Sequence, residues 1–189
     1  DVLQNLENLK KKGKIRHFGI SNETAWGMMK YLSISEQNNF SQPVSVQNGY
    51  NLINRVFDIS NSEISIRENC GLIAYSPLAG GRLTGKYLEG KRPSNARYTL
   101  WPGRFSRHHT PRGEKAILKY LEISKKYQLN IKDMANAFVL NRPFVTSSIF
   151  GVTSLFQLKE NLECLKIKLS KNLLNDLNAV HISDPNPCV

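Results

Sequence analysis

The chain has 189 residues and 40% apolar content, enough for one domain with a core of its own. No apolar run approaches the roughly 20 residues of a membrane-spanning helix, so no membrane is expected as a partner. The formal charge of +11 raises nucleic acid, but the cations gather in two clusters rather than along one helical face, and no nucleic-acid module accompanies either.

Val2 to Lys12 spaces Leu3, Leu6 and Leu9 as an amphipathic helix that Gly13 ends. The first cluster, Lys10 to Arg16, lies at its end, where cations suit the helix dipole. Asp1 opens directly into this helix with neither Met nor a signal pattern, so the expectation is a chain that starts partway through a larger protein. Ile15 to Ile20 reads as a first strand ending at Ser21-Asn22, with Asn22 able to cap the next helix, which carries Trp26, Met29 and Tyr31. Val44 to Gln47 reads as a second strand, about Asn54 to Asn69 as a helix, and Leu72 to Tyr75 as a third strand. A long loop follows from Ser76 to Thr110, holding most of the second cluster: Lys91, Arg92, Arg97, Arg104 and Arg107, with Arg112 just beyond. A small polyphosphate accounts for these cations at least as well as nucleic acid does, so no nucleic-acid partner is expected.

Pro111 suits the first turn of a helix to about Tyr127, and a second helix spans about Ile131 to Leu140. Val145 to Phe150 is the fourth strand; Ser154 and Ser170 open the last two helices, and residues 183–189 form an extended or disordered tail. Short apolar strands alternate with helices, and the starts near Ile15, Val44 and Leu72 are about 28 residues apart, the pattern of parallel βαβ units. No Gly-x-Gly-x-x-Gly follows a strand, which counts against a Rossmann domain. Cys70, Cys164 and Cys188 lack metal-ligand spacing and read as free thiols in a reducing cytoplasm, with no metal site.

Polar or aromatic residues recur at each strand's carboxyl end, where a parallel barrel holds its active site. Gly71 to Tyr87 is the most telling stretch: a strand ends in Tyr75, Ser76-Pro77 stops it, and a glycine-rich loop leads to Lys86. Ring, bare backbone and cation together suit a planar anionic ligand. Each feature also has a plainer explanation. Asn22 and Ser154 serve as helix caps, Tyr75 as core packing, Gln47 as a partner for buried backbone, Glu160 as an unpaired surface carboxylate and Arg97 as a solvated loop charge.

Four segments, Gly13 to Asn22, Val46 to Asn51, Gly71 to Tyr87 and Gly151 to Asn161, resemble in order and content the carboxyl half of the aldo-keto reductases. The likeness is nearest to the Tas-like branch, through Ala25-Trp26 to Tyr31, Tyr50 to Arg55 and Arg142 to Ser147. The resemblance covers essentially the whole chain. It implies an α/β fold, the second half of a parallel (β/α)8 TIM barrel: about four βα units, strands 5 to 8, and a carboxyl-terminal helix. It implies NADP(H) as cofactor and a small aldehyde or ketone as substrate. Ser21 and Asn22, joined by Gln47, match the residues that hold the nicotinamide carboxamide, and Tyr75 the ring stacked on the nicotinamide. Ser76, Pro77, Leu78, Ala79 and Gly80 match the segment along the pyrophosphate, with Lys86 and Arg97 as charged clamps. Gly151, Thr153, Gln157, Glu160 and Asn161 match the adenosine site, where the helix opened by Ser154 offers amides to the 2′-phosphate. Trp101 and Phe105 are candidates to line a substrate pocket.

Two departures stand out. Val152 and Phe150 replace the family's usual Ala and aliphatic or Pro residue. The family's catalytic Asp, Tyr, Lys and His belong to its amino half, and none can be carried onto this sequence. The expectation is an NADP(H)-binding fragment inactive alone, against a non-catalytic NADP(H)-binding module and a basic nucleic-acid-binding protein. Half a barrel would leave two open sheet edges and an uncovered apolar face, so the missing amino half or a second copy is the expected partner.

Overall fold

The computed structural model describes residues 1–103 and 106–188. Four strands form one parallel sheet in sequence order: β1 (Ile20–Ser21), β2 (Ser45–Gly49), β3 (Gly71–Tyr75) and β4 (Val145–Ile149). The helices are α1 (Val2–Lys11), α2 (Ala25–Gln37), α3 (Asn61–Arg67), α4 (Arg97–Leu100), α5 (Pro111–Lys126), α6 (Ile131–Leu140), α7 (Leu155–Leu162) and α8 (Lys171–Ser183). An unbroken run of parallel neighbours with helical crossovers is what a portion of a (β/α) barrel looks like.

The sheet has two unlike faces. Val46, Leu72 and Ala74 point to the helices and are fully buried. They join Met28 and Leu32 of α2, Ile117 and Tyr120 of α5, Met134 and Phe138 of α6 and Leu177 of α8 in one core. Tyr50, Phe57, Phe138 and Phe144 pack ring on ring at its centre. The residues between, Ser45, Gln47, Gly49, Gly71, Ile73 and Tyr75, are half-buried on the other face. That uncovered face is therefore mainly small and polar, not apolar as expected, because Ser45, Gln47, Gly49 and Gly71 stand there beside Ile73 and Tyr75.

Several elements are shorter than the sequence suggests. The first strand keeps only Ile20–Ser21; before it, the Phe18 carbonyl accepts from Val44 N–H (3.0 Å), while Lys14 N–H turns back to the Leu9 carbonyl of α1 (3.0 Å). Asn22 does not cap α2; it takes a left-handed backbone (φ 58°), and Thr24 accepts from Gly27 N–H instead. The expected Asn54 to Asn69 helix is split at Ser60 into a 3-10 turn (Val56–Asp58) and α3. The long loop is built of short pieces: 3-10 turns Ala79–Thr84, Leu88–Gly90 and Ser106–His108, plus α4. Nor is the tail disordered: residues 184–188 are held against α5 and the segment after β2. The caps of α5, α7 and α8 are Thr110, Ser154 and Ser170.

Candidate active site

A cleft of about 950 Å³ opens at the carboxyl ends of β3 and β4. One wall is the loop after β3, from Tyr75 to Trp101; the other is the segment after β4 and the start of α7. The cleft gathers every expected cofactor residue except Ser21, Asn22, Gln47 and Ala79. Three of those four adjoin it. The Tyr75 hydroxyl donates to Asn22 Oδ1 (2.8 Å), Asn22 N–H donates to the Gln47 carbonyl (3.0 Å), and Ser21 Oγ donates to the same carbonyl (3.1 Å). Ala79 faces the core, fully buried, its N–H donating to the Ser76 carbonyl (2.9 Å) and its carbonyl accepting from the Tyr98 hydroxyl (3.2 Å).

Tyr75 lies over Gly49: a β-carbon there would stand 3.1–3.3 Å from Cε2, Cζ and Oη of the ring. The bare glycine lets the ring lie flat at the strand ends. Its side chain is half-buried, and the Arg107 guanidinium sits 5.6 Å from the ring centroid. That distance is within cation–π range.

Beyond Tyr75 the backbone turns through a run of left-handed residues: Ser76 (φ 56°), Ala79 (49°), Gly80 (67°) and Gly81 (99°). The turn is closed from within, Ala79 N–H donating to the Ser76 carbonyl (2.9 Å) and Gly81 N–H to the Leu78 carbonyl (2.8 Å). At Gly80 the φ angle and the Tyr98 hydroxyl leave no place for a side chain. Asn51, almost wholly buried, donates from Nδ2 to the Ser76 carbonyl (3.0 Å) and fixes where this loop begins. Lys86 is exposed and, among the described residues, has no carboxylate within ion-pair reach; Arg97 lines the same wall.

The opposite wall presents two helix N-termini. Ser154 Oγ accepts from Gln157 N–H (3.2 Å), and Gln157 Oε1 accepts from Thr153 N–H (3.0 Å) and Oγ1 (3.2 Å). The remaining first-turn amides of α7 have no partner within the helix and add to its positive dipole end. Asn130, the cap of α6, also lines the cleft, accepting from Lys132 N–H (2.9 Å). Glu160 is paired: Lys132 Nζ lies 3.7 Å from its Oε1 and 3.4 Å from Asp133 Oδ1. Lys132 was not legible as a site residue, because nothing in sequence joins two positions on separate helices. Phe150 and Phe156 were missed as well. They stand 38% and 70% exposed in the cleft wall, beside Trp101 at 51%. Phe105, the other expected pocket residue, lies outside the described residues.

Three buried phenols that do not line the cleft are held in their neutral form. Burial pushes the Tyr98 phenol up to about 12, and Tyr50 and Tyr120 are also raised by burial. A phenol that protonates an alkoxide needs the opposite shift. Burial pushes the Cys70 thiol up to about 11, so it is not a poised nucleophile. No metal-holding group of His, Cys, Asp or Glu occurs among the described residues, and no described helix is long and apolar enough to cross a membrane.

Comparison with known proteins gives these residues a context. The model of the aldo/keto reductase family matches residues 1–182. Protein tas of Escherichia coli (strain K12) is 42% identical over 181 residues, covering 96% of this chain and 52% of that protein. An aldo-keto reductase of Babesia bovis is 36% identical over 188 residues, 96% of this chain and 66% of that one. The NADH-specific methylglyoxal reductase of Escherichia coli (strain K12) is 29% identical over 168 residues, 87% of this chain and 48% of that protein. The chain spans about half the length of the curated relatives it matches.

Proposed function

Because the chain belongs to the aldo/keto reductase family, we propose that its cleft seats NADP(H) and that it supplies the cofactor-binding half of a carbonyl oxidoreductase. The observation that carries this reading is the meeting, in one cleft, of a stacking ring, a left-handed glycine loop with two cations, and two helix N-termini. Those features match the three chemical parts of a dinucleotide: an aromatic head, a pyrophosphate and a phosphorylated ribose.

Each residue has work to do there. The Asn22 side-chain oxygen is taken by the Tyr75 hydroxyl, which leaves its amide nitrogen to donate to a carboxamide oxygen. Ser21 Oγ already donates to Gln47, so its lone pairs are left to accept from a carboxamide nitrogen. Tyr75 supports one face of the ring and leaves the other for the substrate. Lys86 and Arg97 neutralise the pyrophosphate, and the α7 amides with Thr153 and Gln157 receive the adenosine end. The bound nicotinamide supplies the hydride; a small aldehyde or ketone accepts it. The family's catalytic Asp, Tyr, Lys and His have no counterpart carried onto this sequence, so the proton for the resulting alkoxide is assigned to the amino half.

The chain alone is therefore expected to bind NADPH and not to turn it over. The partner that would complete the reaction is an amino-terminal half-barrel carrying the acid. The three buried, unpaired cysteines fit a reducing compartment, the cytoplasm. The test is NADPH consumption with a reactive aldehyde, with the chain alone and mixed with the amino half of a relative. No turnover alone and turnover on mixing support the proposal. Turnover by the chain alone would refute the division of labour, and binding with no turnover in either case favours a non-catalytic NADP(H)-binding module.

A further inference from the structure

Residues 184–188 leave α8 and run to two places that bound the cleft loop of residues 76–110. At one end, Cys188 N–H donates to the Ile53 carbonyl (3.2 Å). Ile53 N–H donates to Asn51 Oδ1 (3.0 Å), and Asn51 Nδ2 donates to the carbonyl of Ser76, the first loop residue (3.0 Å). At the other end, Thr110 Oγ1, on the last loop residue, donates to the Pro187 carbonyl (2.7 Å) while accepting from Gly113 N–H (2.9 Å). Between them, Asn186 Oδ1 accepts from Arg55 N–H (2.6 Å). Cys188 and Asn51 are almost wholly buried, and a β-carbon on Gly113 would collide with Cys188 Sγ, so the contact is close-packed as well as hydrogen-bonded. A loop whose two ends are tied to one point samples fewer conformations than one tied at neither.

We propose that residues 184–188 form a strap that positions the cleft loop, so that ligand binding depends on residues that do not line the cleft. The strap holds Ser76 and Thr110 in register, and with them the loop that carries Lys86 and Arg97. As a statement about dinucleotide affinity this rests on the reading of the cleft given above; as a statement about loop order it does not.

The experiment compares the intact chain, a chain ending at Ser183, Asn186→Gly and Asn186→Asp. Gly accepts the φ of 50° found at Asn186 but removes the acceptor, whereas Asp keeps the acceptor. Hydrogen exchange reads loop order, and NADPH fluorescence reads affinity. The expected result is faster exchange in residues 76–110 with β2 to β4 unchanged. The NADPH dissociation constant should be about tenfold higher for the shortened chain and about fivefold higher for Asn186→Gly, the scale of one or two hydrogen bonds. Asn186→Asp restores both readouts. Unchanged exchange and affinity would overturn the strap, and so would exchange that rises equally in all four strands, the mark of a general loss of stability. If the shortened chain does not fold, the two point variants decide. If the intact chain binds neither NADPH nor NADH, the dinucleotide reading fails while the exchange comparison still decides the strap.

Discussion

The pairing of Gly49 with Tyr75 is set by register: the two residues are neighbours on adjacent strands, and only a glycine lets the ring settle across the sheet. Gly49→Ala would push the ring by a few tenths of an ångström and strain its 2.8 Å hydrogen bond to Asn22. Dinucleotide affinity is expected to fall about fivefold, the scale of one hydrogen bond, with the unfolding midpoint nearly unchanged. Binding titration and denaturation together check this; a large loss of stability at unchanged affinity would contradict it. Tyr75 was legible in the sequence because an aromatic residue closing an apolar run ahead of Ser-Pro is a local signal. The Lys132–Glu160 pair was not, because it joins two separate helices, α6 and α7, of one cleft wall.

Among the elements, α5, α7 and α8 were read nearly to the residue, because Thr110, Ser154 and Ser170 each take up an orphan amide three positions on. The loop of residues 76–110 was read only as irregular. Its turns depend on left-handed residues such as Ala79 and Glu89, for which sequence gives no cue. The loop's inner side also holds His108, 2% exposed, with neither ring nitrogen hydrogen-bonded. Burial pushes its pKa down to about 4 from 6.5, and Arg107, His109 and Arg82 oppose its proton too. The folded chain thus keeps His108 neutral where the unfolded chain protonates it. This contribution to stability is whole above pH 6.5 and is lost progressively as the pH falls to about 4. Denaturant midpoints across that range should decline, and His108→Phe should flatten the decline. An unchanged slope in the variant would show that other groups set it.

At the scale of the molecule, one ionic cluster ties separate regions together. Asp58 accepts from the Tyr50 hydroxyl (2.8 Å) and from Arg55 Nε (2.8 Å), and Arg142 Nη2 lies 3.4 Å away. Arg55 Nη1 also donates to Asn178 of α8 (3.0 Å). Asp58→Ala would leave two arginines and a phenol without their acceptor. Asp58 is half-buried, and the substitution should cost about 1–3 kcal/mol, the scale of an acceptor lost from largely buried donors, measured by denaturation. The fold class was legible from the alternation of short apolar strands with helices, which burial on one side of the sheet enforces. The polar character of the open face was not anticipated, because the alternation within β2 and β3 was read only for its buried half. The open edges at β1 and β4 still make association with a half-barrel or a second copy the expected state in solution, and a concentration-independent monomer in sedimentation would count against it. The central claim is that the cleft seats a nicotinamide dinucleotide on Tyr75. Fluorescence titration of NADPH against the intact chain and Tyr75→Ala tests it most directly. The account predicts saturable binding that weakens by about 1–3 kcal/mol, roughly fivefold to a hundredfold, when the ring is removed. Absence of saturable binding to the intact chain, or equal affinity in the variant, would contradict it.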